Sequence, residues 1–407
     1  MLKKLLGATA LGVVMSASVG LSAQAQAAPP VDPDVACRTT GPFDRIDDDG
    51  NVVLDDSGGV STAPGLECGE DAEATAAHST AVGNDAKALA YASAAFGDNA
   101  VVEVAARRGT AIGRDALIDN QADDPDTPED ETINSIDGTA VGEDSYVLGD
   151  NGTAIGQDAS VEGNDSTAVG ENTEAVGDQA TAIGQGAQAL AQEATALGQD
   201  AIASGVQSTA LGQGSQATAD DSTALGESAE ATAEDATAVG QFARASALQS
   251  TALGENSIAS GLQSTALGQN TVASGESSTA VGQSASATAV ESTALGEDSI
   301  ASGVQSTALG QGALATSDDS TAVGESAEAT AEDATAVGQF ARASALQSTA
   351  LGENSIASGL QSTALGQNTE ASGEASTAVG QSAVASAEES TALGEDSIAS
   401  GVQSTAL

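Results

Sequence analysis

Glycine recurs every 14 residues along most of this chain. The series starts at Gly142 and continues to Gly394 without interruption, which places nineteen glycines in one register. Thr, Ala and then Val, Ile or Leu precede each of them, whereas earlier copies at 80–83 and 110–113 fall out of register. Because self-similarity at a fixed period is typical of repeat architectures, we expect one structural unit per 14 residues.

Each unit carries two sets of small residues when its Gly is counted as position zero. Ser, Ala or Gly occupies positions −4, −2 and 0, and then in most units +3, +5 and +7. Each set alternates with period two, which is typical of a β-strand with one constant face. The parity changes between 0 and +3, so a two-residue corner lies at +1 and +2. This pattern predicts an all-β fold, a parallel β-roll or β-solenoid of 14-residue coils.

The predicted solenoid is long and narrow. Coils stacked at the strand spacing of ~4.8 Å would make a rod about 90 Å long from residue 142 to residue 394. A helix is the competing interpretation, because Ala and Leu favour it. Regularly spaced Gly and frequent Thr oppose long helices, so the solenoid is the better prediction.

A longer repeat and several boundaries divide the chain. A 98-residue super-repeat begins at about residue 198, and its copies 222–271 and 320–369 differ only at Leu225 and Val323. The regular coils occupy 138–407. Before them we expect a Cys-containing segment at 28–78, irregular first coils at 79–117 and an acidic inserted loop at 118–137. The chain stops one residue before its next expected Gly, which indicates truncation at the C-terminus.

The first 27 residues are typical of a signal peptide. Lys3 and Lys4 precede a short apolar run from Leu5 to Leu21, and small residues follow at two overlapping cleavage sites ending at Ala25 and Ala27. We therefore expect export.

Two cysteines follow the predicted signal peptide. In an oxidising compartment Cys37 and Cys68 are expected to form one disulfide, and a pair of free thiols is the alternative.

The composition excludes several classes of protein. Asp and Glu number 59 against 10 Lys and Arg, a net charge of −49, which argues against nucleic acid or anionic lipid as a partner. Four Phe, two Tyr and no Trp are too few for the core of a 407-residue globular enzyme.

The chain offers little material for catalysis or for metal binding. His78 is the only His, and the carboxylates recur in equivalent coils, so no pair stands apart as an acid and a base. The acidic run 44–51 resembles a calcium loop, but Arg45 stands where the first ligand belongs, which favours a solvated acidic turn. We predict no enzyme, no cofactor and no metal site.

An aliphatic column at position −1 is the strongest candidate for an interface. Its parity is opposite to that of the small residues, so it points outward if Ala and Gly point inward, and a long apolar strip on a rod marks a contact surface. The alternative is that this column fills the core. The predicted oligomer-interface residues are Val141, Ile155, Val169, Ile183, Leu197, Leu211, Leu225, Val239, Leu253, Leu267, Val281, Leu295, Leu309, Val323, Val337, Leu351, Leu365, Val379 and Leu393.

Two further features stay open. A Thr column from Thr139 to Thr405 is similar to the flat face of ice-binding solenoids, although its neighbouring column is aliphatic. Phe242 with Arg244, and the equivalent pair in the second copy, are either a ligand contact or the shield of a corner.

Units such as Ser-Thr-Ala-Leu-Gly-Glu-Asn-Ser-Ile-Ala-Ser-Gly at 250–261 resemble the head repeats of YadA-like trimeric autotransporter adhesins of Gram-negative bacteria. The resemblance covers 79–407 apart from the insertion. It implies a left-handed parallel β-roll, a homotrimer, a place at the cell surface or outer membrane, and attachment to host matrix, a cell-surface receptor or other bacteria. The family's usual motif Asn-Ser-Val-Ala-Ile-Gly is replaced here by Ser-Thr-Ala, then Leu or Val, then Gly. We recognise no neck sequence, no heptad stalk and no membrane anchor in this sequence.

Two functions follow as hypotheses. The first is an adhesin head acting as a rigid multivalent rod, with a loop-rich tip near Cys37, Cys68 and the insertion at 118–137. The alternative is an ice-binding or biofilm-matrix solenoid that uses the Thr column. Binding to matrix proteins or aggregation of cells would support the first, and thermal hysteresis would support the second.

Overall fold

The protein forms an all-β parallel solenoid, as the repeat predicts. A computed structural model describes residues 37–40, 45–46, 52–53, 65–104, 106–119 and 137–407. The predicted signal peptide, most of the acidic insertion and most of the segment before residue 65 lie outside these residues. Within them, each coil gives one strand to each of two sheets, and no helix is present.

Sheet 1 contains the Thr-Ala-aliphatic segment of every regular coil and the equivalent segments of the earlier coils. Each of these strands pairs in parallel with the equivalent strand of the next coil, as Thr251 does with Thr265. The parallel strands are Gly65–Cys68, Thr80–Val82, Ala94–Phe96, Thr110–Ile112, Thr139–Val141, Thr153–Ile155, Thr167–Val169, Thr181–Ile183, Thr195–Leu197, Thr209–Leu211, Thr223–Leu225, Thr237–Val239, Thr251–Leu253, Thr265–Leu267, Thr279–Val281, Thr293–Leu295, Thr307–Leu309, Thr321–Val323, Thr335–Val337, Thr349–Leu351, Thr363–Leu365, Thr377–Val379, Thr391–Leu393 and Thr405–Ala406.

Sheet 2 contains the two-residue strands that start at position +4. They also stack in parallel, coil upon coil, as Arg244 does between Glu230 and Ile258. The strands are Glu73–Ala74, Lys87–Ala88, Val101–Val102, Leu117–Ile118, Tyr146–Val147, Ser160–Val161, Glu174–Ala175, Gln188–Ala189, Ile202–Ala203, Gln216–Ala217, Glu230–Ala231, Arg244–Ala245, Ile258–Ala259, Val272–Ala273, Ser286–Ala287, Ile300–Ala301, Leu314–Ala315, Glu328–Ala329, Arg342–Ala343, Ile356–Ala357, Glu370–Ala371, Val384–Ala385 and Ile398–Ala399.

The core between the sheets consists mainly of alanine, together with buried serine and a few threonine side chains. The Ala at position −2 of each regular coil, such as Ala252, is fully buried, and so is the residue at +5, such as Ala259. Fully buried aliphatic side chains larger than Ala occur, among the described residues, in the early coils, where Val102, Ile118, Val147 and Val161 fill the interior. Because these core side chains are small, the two sheets can pack closely against each other.

The recurring glycines are required by close contact between coils. Gly254 has a φ of +133°, and a Cβ built on it would lie 2.4 Å from the carbonyl oxygen of Gly268 in the next coil. Only glycine fits both the backbone angle and the contact. The corners at +2 and +9 have a different left-handed geometry, with φ near 55°, which Asp, Asn, Ser and Gln adopt.

Buried serines close the corners from inside. Ser306, at position −4, donates a hydrogen bond from Oγ to the carbonyl oxygen of Gly303 at 2.6 Å. Ser362 occupies the same position in another coil, yet its buried Oγ has no hydrogen-bond partner among the described residues. The first hydroxyl stabilises the coil, while the second is desolvated without compensation.

We expect the two serines to respond differently to removal of the hydroxyl. Ser306→Ala should lower the free energy of unfolding by about 1 kcal/mol, because a buried hydrogen bond is lost. Ser362→Ala should leave it unchanged or raise it, because an unpaired buried hydroxyl is removed. Denaturant midpoints of the two variants measure this. Equal destabilisation by both would show that Ser362 is bonded in solution.

The solenoid begins earlier than the sequence pattern indicates. Gly65–Cys68 already stacks on Thr80–Val82, so the first coil lies within the segment 28–78 that we expected to precede the coils. The Thr-Ala pair is replaced there by Leu66 and Glu67. Glu67 takes the place of the core Ala, and its Oε1 accepts a hydrogen bond from the Ala74 amide at 2.9 Å.

The N-terminal end of sheet 1 is covered by an antiparallel strand. Arg38–Thr40 pairs with Gly65–Cys68, and Cys37 and Cys68 form a disulfide beside this pairing. An antiparallel strand cannot be extended by another coil of the same kind, so it terminates the exposed edge of the sheet. A separate antiparallel pair, Arg45–Ile46 with Val52–Val53, lies nearby in the sequence.

The acidic insertion does not interrupt the stacking. Thr110–Ile112 pairs directly with Thr139–Val141, and Leu117–Ile118 pairs with Tyr146–Val147. Ile118, which we had assigned to the inserted loop, is instead a fully buried strand residue. The insertion therefore leaves from one corner of a complete coil and returns to it.

Candidate interaction surfaces

The outer face of sheet 1 is nearly uniform along the rod. Each regular coil places Thr at −3 and the aliphatic residue at −1 on this face, in register with the coils before and after. The predicted interface residues all end a sheet 1 strand, on the side opposite the buried Ala. The expectation that Ala and Gly face inward is confirmed, and the alternative that the aliphatic column fills the core is wrong.

The aliphatic column is only partly covered in the single chain. Leu253 keeps 37% of its surface exposed and Leu267 keeps 40%, while the neighbouring Ala252 keeps none. Every Leu, Val and Ile of this column keeps part of its surface exposed over nineteen consecutive coils, and nine of them keep 37% or more. Such a strip is much longer than the apolar patches usual on monomers. Its function as an interface between copies of the chain stays a prediction.

Sheet 2 and its corner at +8 have a different, uneven surface. Exposed aliphatic residues occur there in groups, such as Leu248 with Leu262 and Val290 with Val304. Acidic or polar residues occupy the same position in the coils between the groups. These groups are not visible in the column at position −1, from which the interface was predicted. Reading position +8 as a column would have shown that Leu248 and Leu262 recur 98 residues later as Leu346 and Leu360.

At the opposite corner, which contains position +1, the negative charges are separated from one another along the rod. Position +1 is Gln or Glu throughout the regular coils, and no two consecutive coils carry Glu. Gln amides bridge to the Glu one coil earlier, as Gln241 Nε2 does to Glu227 Oε2 at 2.9 Å and Gln269 Nε2 to Glu255 Oε2 at 3.0 Å. Carboxylates in adjacent coils would stand only one strand spacing apart, so this alternation reduces repulsion in a strongly acidic rod.

Phe242 and Phe340 interrupt the polar corner at +2. Each has φ near +57° and about half of its surface exposed. In the following strand, Arg244 pairs with Glu230 of the preceding coil, with Nε 2.8 Å from Oε2 and Nη2 3.1 Å from Oε1. Arg342 and Glu328 repeat this arrangement. The sequence leaves open whether these Phe–Arg pairs contact a ligand or shield a corner, and the structure shows that each Arg forms an ion pair with a Glu.

Both ends of the acidic insertion are anchored on the solenoid. At its start, the Tyr146 hydroxyl donates a hydrogen bond to Asp119 Oδ2 at 3.2 Å. At its end, Arg108 Nη2 lies 2.7 Å from Asp137 Oδ2. Burial of Tyr146, followed by the charge of Asp119, raises the pKa of this hydroxyl to about 12. The predicted receptor-contacting tip at residues 118–137 falls largely outside the described residues.

The raised pKa of Tyr146 predicts a loss of stability at high pH. The unfolded chain releases this proton near pH 10 and the folded chain near pH 12, so the folded state binds more protons between these values. Its stabilising contribution is complete below pH 10 and declines as the pH rises towards 12. Absorbance at 295 nm in the Tyr91→Phe variant isolates this titration, because the chain has only two Tyr. A midpoint near 10 would contradict the burial of the Tyr146 hydroxyl beside Asp119.

The described residues offer no other obvious chemistry. They contain no group of three or more His, Cys, Asp or Glu side chains arranged to hold a metal ion. The acidic run at 44–51, considered as a calcium loop, lies mostly outside them. In the same part of the chain, no helix has the length and apolar character needed to span a membrane.

Comparison with protein families gives one extensive match. The sequence profile described as the YadA head domain repeat, two copies of the repeat long, matches residues 69–101 and 134–159, and then overlapping or adjoining windows from 162 to 407. Together these windows cover well over half of the chain. No curated protein is significantly similar to it.

Among solved structures, the crystal structure of the collagen-binding domain of the Yersinia adhesin YadA is similar at 20% identity. The similarity covers 50% of this chain and 78% of that one, with a TM-score of 0.14. This TM-score is too low to support an argument about function.

Proposed function

Because this chain belongs to the YadA head family, whose members are adhesins of the bacterial surface, we propose that it is the head of a homotrimeric cell-surface adhesin. It is a rigid β-roll rod that mediates attachment to host matrix, to a cell-surface receptor or to other bacterial cells. The rod acts through multivalent contacts rather than through catalysis.

The uniform aliphatic column of sheet 1 is the observation that carries this proposal. A face that is the same in every coil suits packing against an identical face, whereas a ligand surface needs local differences. Three copies packed around one axis would cover Leu253 and its equivalents and would leave sheet 2 outside. Burial of this column adds the apolar area that the thin Ala core cannot supply.

Adhesion of coated beads tests the proposed function. Beads carrying the full chain should be retained on layers of extracellular matrix protein or cultured cells, or should aggregate with each other. Beads carrying a protein of similar net charge that lacks the solenoid are the control. Retention no greater than the control on every surface, without aggregation, would contradict the proposal.

The alternative function uses the same face of sheet 1. Thr251 and Thr265 stand in register one coil apart, and the Thr column continues along the rod, which would suit ice binding or a biofilm matrix. A trimer built on sheet 1 would cover this column, so the two functions exclude each other. Thermal hysteresis in a solution of the monomeric chain would favour the alternative.

A further inference from the structure

Two identical patches on the outer surface of sheet 2 stand out from the rest of the rod. In the first, Phe242 lies at one corner, Arg244 and Ile258 lie on adjacent strands, and Leu248 and Leu262 lie at the other corner. The second patch repeats these residues 98 positions later, as Phe340, Arg342, Ile356, Leu346 and Leu360. Seven coils separate the patches, a distance of about 34 Å.

The aromatic residue is not explained by the fold. Phe242 has left-handed geometry with φ of 57°, which is unfavourable for a bulky side chain, while half of its surface is in contact with solvent. The equivalent position in the other regular coils is Asp, Asn, Ser or Gly. An exposed ring in a strained conformation is a feature that typically marks a functional site.

The arginine is equally unusual. Arg244 and Arg342 are the only Lys or Arg residues after Arg114. Each contacts both oxygens of a Glu in the preceding coil, so its guanidinium is oriented by the carboxylate and its charge is compensated. Aromatic rings and Arg, beside exposed aliphatic side chains, are the residue types that contribute most to binding in protein interfaces.

Carboxylates bracket the apolar part of each patch. Along the +8 corner, Glu234, Leu248, Leu262 and Glu276 stand in consecutive coils, as the backbone hydrogen bonds from the following residues to Glu234, Leu248 and Leu262 show. Glu332, Leu346, Leu360 and Glu374 form the same series in the second patch. The two carboxylates of a patch are three coils, about 14 Å, apart.

We propose that these two patches are docking sites for a protein segment that has apolar residues in its centre and basic residues at both ends. The apolar residues contact Phe242, Ile258 and the two Leu, and the basic residues meet the bracketing carboxylates. The strongly negative rod attracts such a segment and excludes acidic ones. The inference rests on the proposed adhesin function for its biological meaning and names the partner class of that surface.

Two synthetic nine-residue peptides of the same composition test the inference. The first has Lys-Lys at each end around Leu-Phe-Leu-Phe-Leu, and the second has the order Leu-Phe-Lys-Lys-Leu-Lys-Lys-Phe-Leu. Fluorescence anisotropy with the full chain should show saturable binding of the first peptide, with two sites per chain. The second peptide should bind on the order of tenfold more weakly, because its charges no longer match the bracket.

Variants at the corner locate the site. Phe242→Ser with Phe340→Ser should weaken binding of the first peptide on the order of tenfold, and Phe340→Ser alone should leave one site. Folding should be retained, because Ser adopts the same φ at this corner in other coils, as Ser228 does. Val290→Ser with Val304→Ser removes an aliphatic pair that has no Phe–Arg partner, and it should leave binding unchanged.

Equal affinity for the two peptides, or unchanged binding by the double Phe variant, would overturn the inference and leave only general charge attraction. The bead assay is independent of this result. Bead adhesion with no patch-dependent peptide binding would reject the docking sites alone, whereas failure of bead adhesion would reject the proposed function.

Discussion

Replacing Gly254 with Val is expected to unfold the solenoid locally and to lower its free energy of unfolding by about 3 kcal/mol or more. The φ of +133° is rarely adopted by residues with a Cβ, and the added atom would lie 2.4 Å from a backbone oxygen. Neither chain segment can move away without breaking the hydrogen bonds between coils. Thermal denaturation followed by circular dichroism, with hydrogen exchange of the neighbouring coils, measures the effect.

Gly312→Asn is the matched control for this substitution. Gly312 lies at a +2 corner with φ of +63°, where its Cβ would meet only the Ser326 hydroxyl at 3.5 Å. Asn256 and Asn354 adopt the same corner geometry. The control should melt within a degree or two of the unmodified chain, since an unstrained surface change has little effect. Similar losses in both variants would contradict the distinction between the two glycine positions.

Placing charges in the aliphatic column is expected to dissociate the proposed homotrimer. In Leu253→Asp with Leu267→Asp, each carboxylate would be repeated in all three copies near the shared axis, where desolvation and mutual repulsion oppose association. The mass in solution should fall threefold, to that of the single chain. Sedimentation velocity measures the mass, and circular dichroism shows whether the strands remain.

A pair of substitutions on the other sheet separates interface effects from general ones. Ile258→Asp with Ile300→Asp changes two aliphatic residues of sheet 2. Their exposed fractions, 36% and 37%, are similar to those of Leu253 and Leu267. This variant should keep the mass of the unmodified protein. Dissociation by the sheet 2 pair but not by the sheet 1 pair would place the interface on the opposite face.

The regular coils could be predicted from sequence because each position has one dominant role. Gly at position zero and the switch of parity after it predict the corner, and the thin Ala core favoured the small residues at −2 and +5 facing inward over the alternative orientation. The first coil escaped this reasoning because Leu66 and Glu67 replace the Thr-Ala pair, and only the stacking on Thr80–Val82 shows that it belongs to the sheet.

The candidate interaction surfaces were harder to predict from the sequence repeat than the coils were. The aliphatic column was recognised because it repeats in every coil, whereas the sheet 2 patches are grouped and irregular. The structure shows that Phe242, Leu248 and Ile258 are all exposed, and it pairs Arg244, between the first two, with Ile258 of the next coil. The number of copies in the oligomer depends on contacts between chains, and a single sequence does not determine it.

The mass of the unmodified full chain in solution tests the central claim most directly. Sedimentation equilibrium over a range of concentrations should give a single species of three times the chain mass of 39.2 kDa. Strand-rich circular dichroism from the same sample would show that the assembled chain is folded. A folded monomer at every concentration would contradict the claim, because the aliphatic column of sheet 1 would then remain exposed without a partner.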